Sequence, residues 1–380
     1  MTTTIDNEQK TLNVPNLRFP EFEGEWQEKR LSDIADLSKG IGISKDQLSA
    51  DGEPCILYGE LYTKYKSETI KEVISKTNID NTKLVKSKAN DVIIPCSGET
   101  AEEIATARCV LKDDILLGGD LNIIRLHGYD GSFMSYQLNG KRKYDIAKVA
   151  QGVSVVHLYG EHLKNIKTIN PSLNEQKKIA NLLSLLDERI STQNKIIEKL
   201  QSLIKGIAQN IVRYNKPNVR LSDCLSCSSS TLQESDVSEH GTYPVYGANG
   251  VVGYLDNYNT ENEAIYIIKD GSGVGSTSYV TGKCSATGTL NILRAKEGYS
   301  LQYLYYMLKV FNFEPYKTGM AIPHIYFKDY GKAKVFCPTY KEQLQYARLL
   351  SAIDKRLTVE HGLLTSLSLQ KQYLLRQMFI

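Results

Sequence analysis

The residues best suited to chemistry in this 380-residue chain are cysteines, histidines and a glycine-rich segment. Cys224 and Cys227 have the spacing of half a structural zinc site. Such a site normally needs a second pair, and the sequence offers none, so we predict no metal. The segment "KDGSGVGS" at residues 269–276 could approach a DNA backbone. It lacks the Lys-Ser/Thr ending of a P-loop, and no long crossover helix follows it directly, so an ordinary strand turn is the favoured alternative.

Two further motifs also argue against catalysis. His157 and His324 occupy matched positions in a repeat, but no Ser, Cys or Asp is matched to both. A catalytic histidine needs such a partner, so we predict a structural hydrogen-bonding role. "NPSL" at residues 170–173 is similar to the Asn-Pro-Pro-aromatic box of adenine methyltransferases, but Leu173 cannot stack on a flipped base. A helix start is favoured there. With no paired carboxylates or triad, we predict a non-catalytic chain.

Composition sets broad limits on the class of protein. A chain of this length is comfortable for two or three domains, and 41% apolar residues allow real cores. The net charge of +3 permits a nucleic-acid partner without demanding one. Seven scattered cysteines without a signal peptide favour reduced thiols in the cytoplasm. No apolar run approaches the roughly 18 to 20 residues of a membrane span. Residues 1–13 are predicted to be a frayed tail.

The elements that must position these residues are organised as an internal repeat. "PSLNEQKKIANLLSLLDERI" at residues 171–190 returns, 167 positions later, as "PTYKEQLQYARLLSAIDKRL" at residues 338–357. The same offset pairs Gly152 with Gly319, His157 with His324, Tyr159 with Tyr326, and Lys167 with Lys334. Weaker echoes lie upstream at drifting offsets, such as "LNIIR" against "LNILR". An internal duplication with insertions and deletions in the first part of each half explains this pattern.

The shared segment predicts a long amphipathic helix in each half. Apolar residues recur at three-, four- and seven-residue spacings from Leu182 to Ile211 and from Leu349 to Met378. Each helix would cover about 40 residues, or roughly 60 Å, and needs a partner for its apolar stripe. The other copy is the available partner, and connectivity makes the pair antiparallel. Strand-like runs and one short helix in each half predict a mixed α+β fold, with two globular domains separated by the long helices and an internal pseudo-two-fold symmetry.

At this point the sequence resembles the specificity (S, or HsdS) subunits of type I restriction-modification systems. The features that carry the resemblance are "PNLRFPEF" at residues 15–22, "GEPCILYGELYTKY" at 52–65, "GVSVVHL" and "GMAIPHI" before the helices, and the doubled Glu-Gln helix motif. The resemblance implies a tail at 1–15, target-recognition domains at 16–170 and 215–336, and spacer helices at 171–214 and 337–380. One departure is Tyr346, which stands where the first copy has Ile179.

The resemblance also implies the partners. Each recognition domain would read one half of a bipartite, asymmetric sequence in double-stranded DNA. The helices would dock two methyltransferase (HsdM) subunits, and restriction (HsdR) subunits would add translocation and cleavage. S-adenosylmethionine, ATP and Mg²⁺ would belong to those partners, with no cofactor in this chain. A protein scaffold that uses its two domains as clamps, without binding DNA, remains an alternative, because the net charge is small.

The predicted contact residues follow from polar, aromatic and glycine-rich segments that could approach the grooves, although edge strands with a tyrosine-rich face explain the tyrosines equally well. The predicted DNA contacts are Tyr58, Gly59, Glu60, Tyr62, Lys64, Lys66, Ser97, Gly98, Glu99, Thr100, Arg108, Tyr246, Gly247, Ala248, Asn249, Lys269, Ser272, Gly273, Ser276 and Lys317. The predicted partner contacts, placed on the helix faces outside the apolar stripe, are Glu175, Gln176, Arg189, Glu342, Gln343 and Arg356.

Overall fold

The computed structural model describes residues 12–152 and 155–380. Most of the predicted tail, residues 1–11, and two positions of the "GVSVVHL" motif, 153 and 154, lie outside the described residues. The chain divides into two compact units. Unit 1 comprises the residues up to Thr192 together with Leu364–Ile380, and unit 2 comprises Gln193–Leu363. The predicted mixed α+β class is confirmed, and each unit takes one part of each long helix.

Unit 1 contains two main sheets and short helices. Its strands are β1 (Gln27–Arg30), β2 (Ala35–Lys39), β3 (Leu48–Ser49), β4 (Glu53–Ile56), β5 (Thr69–Ile70), β6 (Ser75–Thr77), β7 (Val85–Lys86), β8 (Asp91–Pro95), β9 (Ser97–Gly98), β10 (Arg108–Val110), β11 (Leu116–Leu117), β12 (Leu121–Leu126), β13 (Val156–His157) and β14 (Lys167–Asn170). Its short α-helices are α1 (Leu31–Ile34), α2 (Glu60–Thr63), α3 (Ala101–Ile104), α4 (Gly131–Asn139), α5 (Lys143–Val149) and α6 (Gly160–Leu163). The sheet orders are β2-β12-β8-β10-β5, β3-β6-β4-β11-β7, β1-β14 and β13-β9.

The core of unit 1 follows from strand β8, which is buried along its whole length. Successive side chains of a strand point to opposite faces. Val92 and Ile94 therefore pack with Met134 of α4, whereas Ile93 faces a second apolar cluster that includes Leu117 of the other sheet. A strand that is covered on both faces reads as a continuous apolar run, which is why "DVIIP" carries no polar alternation.

Unit 2 repeats this plan with fewer strands. After the long helix α7 (Leu173–Tyr214) come β15 (Val219–Arg220), α8 (Leu221–Cys224), β16 (Leu225–Ser229), β17 (Tyr243–Gly247), β18 (Gly250–Leu255), β19 (Ala264–Ile268), β20 (Thr277–Val280), β21 (Ser285–Ala286), β22 (Leu290–Ala295), α9 (Leu301–Lys309), α10 (Phe327–Tyr330), β23 (Lys334–Val335) and the second long helix α11 (Tyr340–Gln377). The sheet orders are β16-β22-β19-β20, β18-β17-β21 and β15-β23. Short 3₁₀ helices cover Lys45–Gln47, Glu234–Asp236 and Glu314–Tyr316.

Strand β19 has in unit 2 the place that β8 has in unit 1. Ile265 and Ile267 pack in the cluster that contains Leu304 of α9. The alternate residues, Ala264 and Tyr266, face a separate cluster. The two predicted short helices, α4 and α9, therefore have the same role, which is to cover one face of the central sheet of their unit.

The long helices pair in an antiparallel manner within each unit. In unit 1, Leu183 of α7 packs in one cluster with Met378 just beyond α11, and one turn further along α7 Asp187 bonds Lys371. In unit 2, Ala208 of α7 shares a cluster with Leu350 of α11. The apolar stripe of each helix is thus buried or half-buried, as its periodicity predicted, except at Leu349.

Gln193 of α7 and Glu360 of α11 contact each other where the two long helices pair. They are 167 residues apart and so occupy the same position of the two helix repeats. The Gln193 side-chain amide donates to the Glu360 backbone carbonyl at 3.0 Å and also to its carboxylate. In an antiparallel pair of like helices, equivalent residues meet only at the point about which the pair is symmetric, so this bond fixes the register of the helix pair. Among the described residues, no helix is long and apolar enough to cross a bilayer.

Candidate nucleic-acid interface

In unit 1 the structure brings two of the predicted DNA-contact segments together. The Tyr62 hydroxyl donates to the Ser97 carbonyl at 3.3 Å, and a Cβ atom on Gly98 would lie 3.2 Å from the same hydroxyl. Thr100 caps helix α3 by accepting from the Glu103 amide at 3.1 Å. Burial raises the pKa of Tyr62, so its hydroxyl stays a donor at neutral pH. Tyr58, Gly59 and Glu99 are exposed or half-exposed at the same surface.

Glu60 is a correction to the predicted contacts. The Glu60 side chain is buried, and its carboxylate accepts from the Lys64 ammonium at 2.6 Å and from the Ser75 hydroxyl. A buried carboxylate needs such partners, so Glu60 has little freedom to contact DNA. Lys64 also donates to Ser75 at 2.6 Å, but its side chain is exposed, and its contact with DNA stays a prediction.

Arg108 is a second correction. Its guanidinium donates to the Tyr65 carbonyl at 3.1 Å and to the Ala107 carbonyl at 2.9 Å. Burial lowers the pKa of Arg108, an effect that Glu68 and Asp187 oppose. Because the Arg108 guanidinium is bonded to backbone carbonyls in the interior, it holds the chain after α2 in place and does not reach a phosphate. Lys66, by contrast, is exposed and bonds only the Tyr62 carbonyl among its described hydrogen bonds, at 3.0 Å.

A cavity of about 940 Å³ adjoins the segment at residues 58–64 and contains residues that sequence reasoning missed. Its other walls come from residues 42–48 and from Gly119 and Asp120. Ile43 in this wall is β-branched and has a positive φ of 60°, a conformation that costs energy and is found where function or packing requires it. In the sequence, the "GIG" at residues 40–42 was the pattern that could have indicated this loop. Lys45 adds a cation to the rim that the prediction did not include.

In unit 2 the predicted segment at residues 246–249 forms a hairpin tip. Gly247 pairs with Gly250 across the β17–β18 hairpin, which places Ala248 and Asn249 in the turn. Tyr246 is half-buried and packs edge-on against Tyr266, with 5.8 Å between the ring centroids. The turn at residues 287–289 connects this hairpin to the glycine-rich segment, because Thr287 donates to the Tyr246 carbonyl and Lys269 donates to the Thr289 carbonyl.

The glycine-rich segment is a strand turn. The amides of Val274, Gly275 and Ser276 donate to carbonyls of the same β19–β20 connection, at 2.9 to 3.2 Å. These amides are consumed internally, so they do not form a phosphate-binding nest. The exposed residues Ser272 and Ser276 and the half-buried Gly273 remain at its surface.

Lys317 lies beside the glycine-rich turn. Ser276 and Lys317 line one cavity of about 320 Å³ together with Lys309, a cation that the sequence did not single out. The Lys317 ammonium bonds Glu314 at 2.6 Å. Glu314 is exposed and Lys317 is half-buried, and a solvent-accessible pair of this kind is weak, so it does not prevent Lys317 from contacting a phosphate.

The His324 side chain makes a hydrogen bond, as predicted, whereas the His157 side chain is exposed and its structural role stays a prediction. His157 lies in β13, which pairs with Ser97 and Gly98 of β9. His324 bridges to Asp270, with 3.1 Å between Nδ1 and the carboxylate. Cys224 and Cys227 are not joined by further ligands: within residues 12–152 and 155–380, no group of three or more His, Cys, Asp or Glu side chains is placed to hold a metal ion.

Gln176 and Gln343 are a correction to the predicted docking surface, because both are buried. The Gln176 side-chain oxygen accepts from the Asp130 amide at 2.9 Å, and its nitrogen donates to the Pro171 carbonyl at 2.8 Å. Gln343 makes the same two bonds, at the same distances, to Ser300 and Pro338. Each glutamine therefore braces the start of a long helix against the short helix of its unit.

Glu175 is also buried, and its carboxylate forms two hydrogen bonds of 2.8 Å with the Arg18 guanidinium. Its counterpart Glu342 is exposed and accepts from the Thr339 amide and hydroxyl at the start of α11. The sequence predicted burial only for the stripe between the two long helices. Glu175, Gln176 and Gln343 lie outside that stripe and are buried against other parts of their units. Arg189 and Arg356 are exposed as predicted.

Comparison with known proteins decides the family. The sequence model of the "Type I restriction modification DNA specificity domain" matches residues 23–202 and again residues 218–369. The chain belongs to this family. The resemblance inferred from the sequence is confirmed, and the chain carries two copies of the specificity domain.

Named relatives and solved structures agree with this family. The type I restriction enzyme MjaVIII specificity subunit of Methanocaldococcus jannaschii is 28% identical over 205 residues, which are 54% of this chain and 45% of that protein. The match thus spans less than half of that relative. The putative type I specificity subunit S.MgeORF438P of Mycoplasma genitalium is 24% identical over 283 residues, which are 68% of this chain and 73% of that protein.

The fold is that of a type I S subunit. The crystal structure of such a subunit from M. genitalium matches with a TM-score of 0.70 at 20% identity, over 97% of this chain and 99% of that chain. A chain from a study of complex assembly and conformational transition of the type I R-M system matches with a TM-score of 0.50 at 14% identity, over 93% and 97%.

Proposed function

We propose that this specificity-domain chain reads a bipartite, asymmetric sequence in double-stranded DNA, with one half-site read by each unit. The proposal rests on one observation. The two units share the same framework but carry different side chains at matched loop positions. Gln176 and Gln343 make identical braces, whereas the residue paired with the matched histidine is Ser97 in unit 1 and Asp270 in unit 2. Different side chains address different base edges, so the half-sites should differ.

The direct test is to map adenine methylation. The chain would be expressed together with its methyltransferase subunit in a host that lacks other methylation, and the genome would be sequenced for methylated adenines. We expect one split motif with a fixed gap and two unlike halves. A host that expresses the methyltransferase without this chain is the control. A continuous palindrome, or methylation without the chain, would contradict the proposal.

Catalysis belongs to partner subunits in this proposal. Two methyltransferase (HsdM) subunits transfer methyl groups from S-adenosylmethionine, and HsdR subunits use ATP and Mg²⁺ for translocation and cleavage. The doubled helix motif supports docking of two copies of one partner. Arg189 and Arg356 occupy the same position in the two repeats and are both exposed, so we assign them to the docking surface.

Docking can be tested by native mass spectrometry of the co-purified complex. Reversing one charge, with Arg189→Glu or Arg356→Glu, should leave one bound methyltransferase subunit, and the double variant should leave none. Lys355→Glu, an exposed neighbour on α11, is the control and should leave two. Two retained subunits in both single variants would remove these arginines from the docking surface.

The scaffold alternative is favoured only by the small net charge. DNA binding that neutralises phosphates weakens steeply as salt rises, because counterions are released. A titration of the assembled complex on duplex DNA between 50 and 200 mM salt separates the two functions. A steep loss of affinity supports DNA reading, and an absence of binding at all salt concentrations supports the scaffold.

A further inference from the structure

The loop at residues 319–322 exposes apolar side chains at its tip. Met320 is fully exposed, and Ile322 is 58% exposed. An exposed apolar cluster in a water-facing loop is unfavourable and usually marks a contact surface. Nothing in the core of unit 2 requires these side chains, since the buried residue of this segment is Ile325.

The base of this loop is held rigidly. Thr318 and His324 exchange two backbone hydrogen bonds of 2.9 and 2.7 Å across it. Pro323 accepts from the Gly271 amide, and Ile325 donates to the Lys269 carbonyl, both at 2.9 Å. These bonds fasten the loop to the end of strand β19. The tip is therefore a preformed projection, and little ordering entropy would be lost on binding.

Gly319 allows the chain to turn at the tip. Its φ is +88°, and a Cβ atom there would lie 2.3 Å from the Ile322 carbonyl oxygen. The matched Gly152 in unit 1 has a φ of +127°, and a Cβ atom there would lie 2.1 Å from the Val155 carbonyl oxygen. The matched glycines thus have the same close approach to the carbonyl three residues later in both units.

The unit 1 loop shares the anchoring and the exposure. Gln151 and His157 exchange backbone bonds of 2.9 and 2.7 Å, and Leu158 donates to the Cys96 carbonyl at 2.8 Å. Val155, the counterpart of Ile322, is 52% exposed, and Tyr159 is 47% exposed. The two loop bases are paired in the same way, and an exposed apolar residue follows the matched glycine at the same position in both units, which argues for a common ligand.

Charge beside the loop identifies the ligand class. Lys269 and Lys317 flank its base, and Lys328 lies 5.2 Å from the ring of Tyr326 just after it. Two carboxylates lie there as well, because Glu314 pairs with Lys317 and Asp270 bonds His324. The three lysines outnumber these two carboxylates, so an apolar tip lies on a net positive surface, which fits duplex DNA, a polyanion with an apolar interior. Proteins that insert Met, Ile or Pro side chains between base pairs use this combination of features.

Resting on the proposed DNA-reading function, we propose that the loop at residues 319–322 is a wedge and that Val155 has the same role in unit 1. Met320 and Ile322 insert at one base step of the half-site read by unit 2, and Val155 does so at the half-site read by unit 1. The surrounding lysines contact the adjacent phosphates. Unstacking at that step makes the recognition sensitive to how easily the step deforms, in addition to direct contacts with base edges.

The test uses the complete complex with its methyltransferase and a duplex that carries the mapped target. 2-Aminopurine, which fluoresces more strongly when unstacked, is placed at each step of both half-sites in turn. The wild-type complex should raise the fluorescence at one step in each half-site. Met320→Ser with Ile322→Ser should abolish the rise in the unit 2 half-site only, and weaken binding about tenfold through the lost apolar contacts. Val155→Ser should act only on the other half-site.

Controls separate the wedge from other roles. Ile74→Ser removes an equally exposed apolar side chain and should change neither signal. Unchanged fluorescence and affinity in the Met320/Ile322 variant would overturn the wedge. So would a lower amount of co-purified methyltransferase in that variant, because the loop would then be a protein contact. Failure of the wild-type complex to bind any duplex sequence-specifically would overturn the proposed function itself, and the wedge with it.

Discussion

Replacing Asp187 by Asn should destabilise unit 1 strongly. The Asp187 carboxylate accepts from the Lys371 ammonium at 2.6 Å on one oxygen, and from the hydroxyls of Tyr136 at 2.7 Å and Ser67 at 2.9 Å on the other. Lys371 also bonds Glu68 at 2.6 Å. Burial by itself lowers the pKa of Lys371, but the two carboxylates outweigh it, so the net pKa is raised. An asparagine removes the negative charge that Lys371 pairs with, and its NH₂ group would face either the Lys371 ammonium or the two hydroxyls, which would have to reorient to accept.

The magnitude follows from the burial of this cluster. Loss of one partner of a buried ion pair costs about 3 kcal/mol. With a slope of about 3 kcal/mol per molar urea for a unit of this size, the midpoint should fall by about 1 M. Trp26 is the single tryptophan of the chain and lies in a core cluster of unit 1, so its fluorescence reports the unfolding of that unit.

Asp354→Asn is the matched control. Asp354 is the counterpart of Asp187 but bonds Tyr306 at 3.3 Å, and the counterpart of Lys371 is Ile204. An asparagine can still accept that bond, so the transition detected by Trp26 should not move. The effect of Asp187→Asn should also persist in 1 M salt, because buried pairs are poorly screened. A shift below about 0.3 M, an equal shift in both variants, or a loss of the shift in salt would refute the reasoning.

Other predictions test the helix braces, the thiols and the helix register. Gln343→Ala leaves the buried Ser300 amide unpaired and should cost about 1–3 kcal/mol in thermal unfolding, whereas the exposed Gln345→Ala should cost almost nothing. Burial raises the pKa of Cys55 and Cys96 to about 11. Both thiols should therefore resist iodoacetamide at pH 7.5 and be alkylated only as the pH approaches their pKa. Rapid alkylation of the native chain at pH 7.5, detected by mass spectrometry, would contradict this. Deleting residues 190–196 and 357–363 together removes about 10 Å from each helix around the Gln193–Glu360 contact. This double deletion should shorten the mapped gap by about three base pairs and leave the half-sites unchanged. Deletion from one helix alone should abolish methylation.

The long helices could be predicted closely because their signal is local and periodic. Helix α7 begins at Leu173 and α11 at Tyr340, each two residues after the proline that marked the start. One stripe residue was wrong: Leu349 is 50% exposed, because Leu350 and Ala347 are the residues that face the core. Two adjacent leucines differ by about 100° around a helix, so periodicity alone could not decide which one is buried.

The candidate interface was less predictable because it depends on contacts that are distant in sequence. Glu60 and Arg108 carry charges that a sequence suggests for a surface, yet Glu60 is bonded to Ser75 and Arg108 to the Tyr65 carbonyl, both brought near by folding. Conversely, the loop at residues 42–48 joins the cavity beside Tyr58, although no short-range motif connects them. Polar residues in turns indicate a recognition surface, but only tertiary pairing shows which of them are free.

Comparison of the two units separates framework from recognition. The bonds that repeat are those that hold each long helix and each loop base in place: the glutamine braces, and the paired backbone bonds of residues 151 with 157 and 318 with 324. The residues that differ are at the ends of the central strands, where Ser97 corresponds to Asp270. A stable framework that does not depend on these side chains lets them change at small cost in folding energy. One fold could therefore carry two different sequence preferences within a single chain, as the asymmetric DNA target that we propose requires.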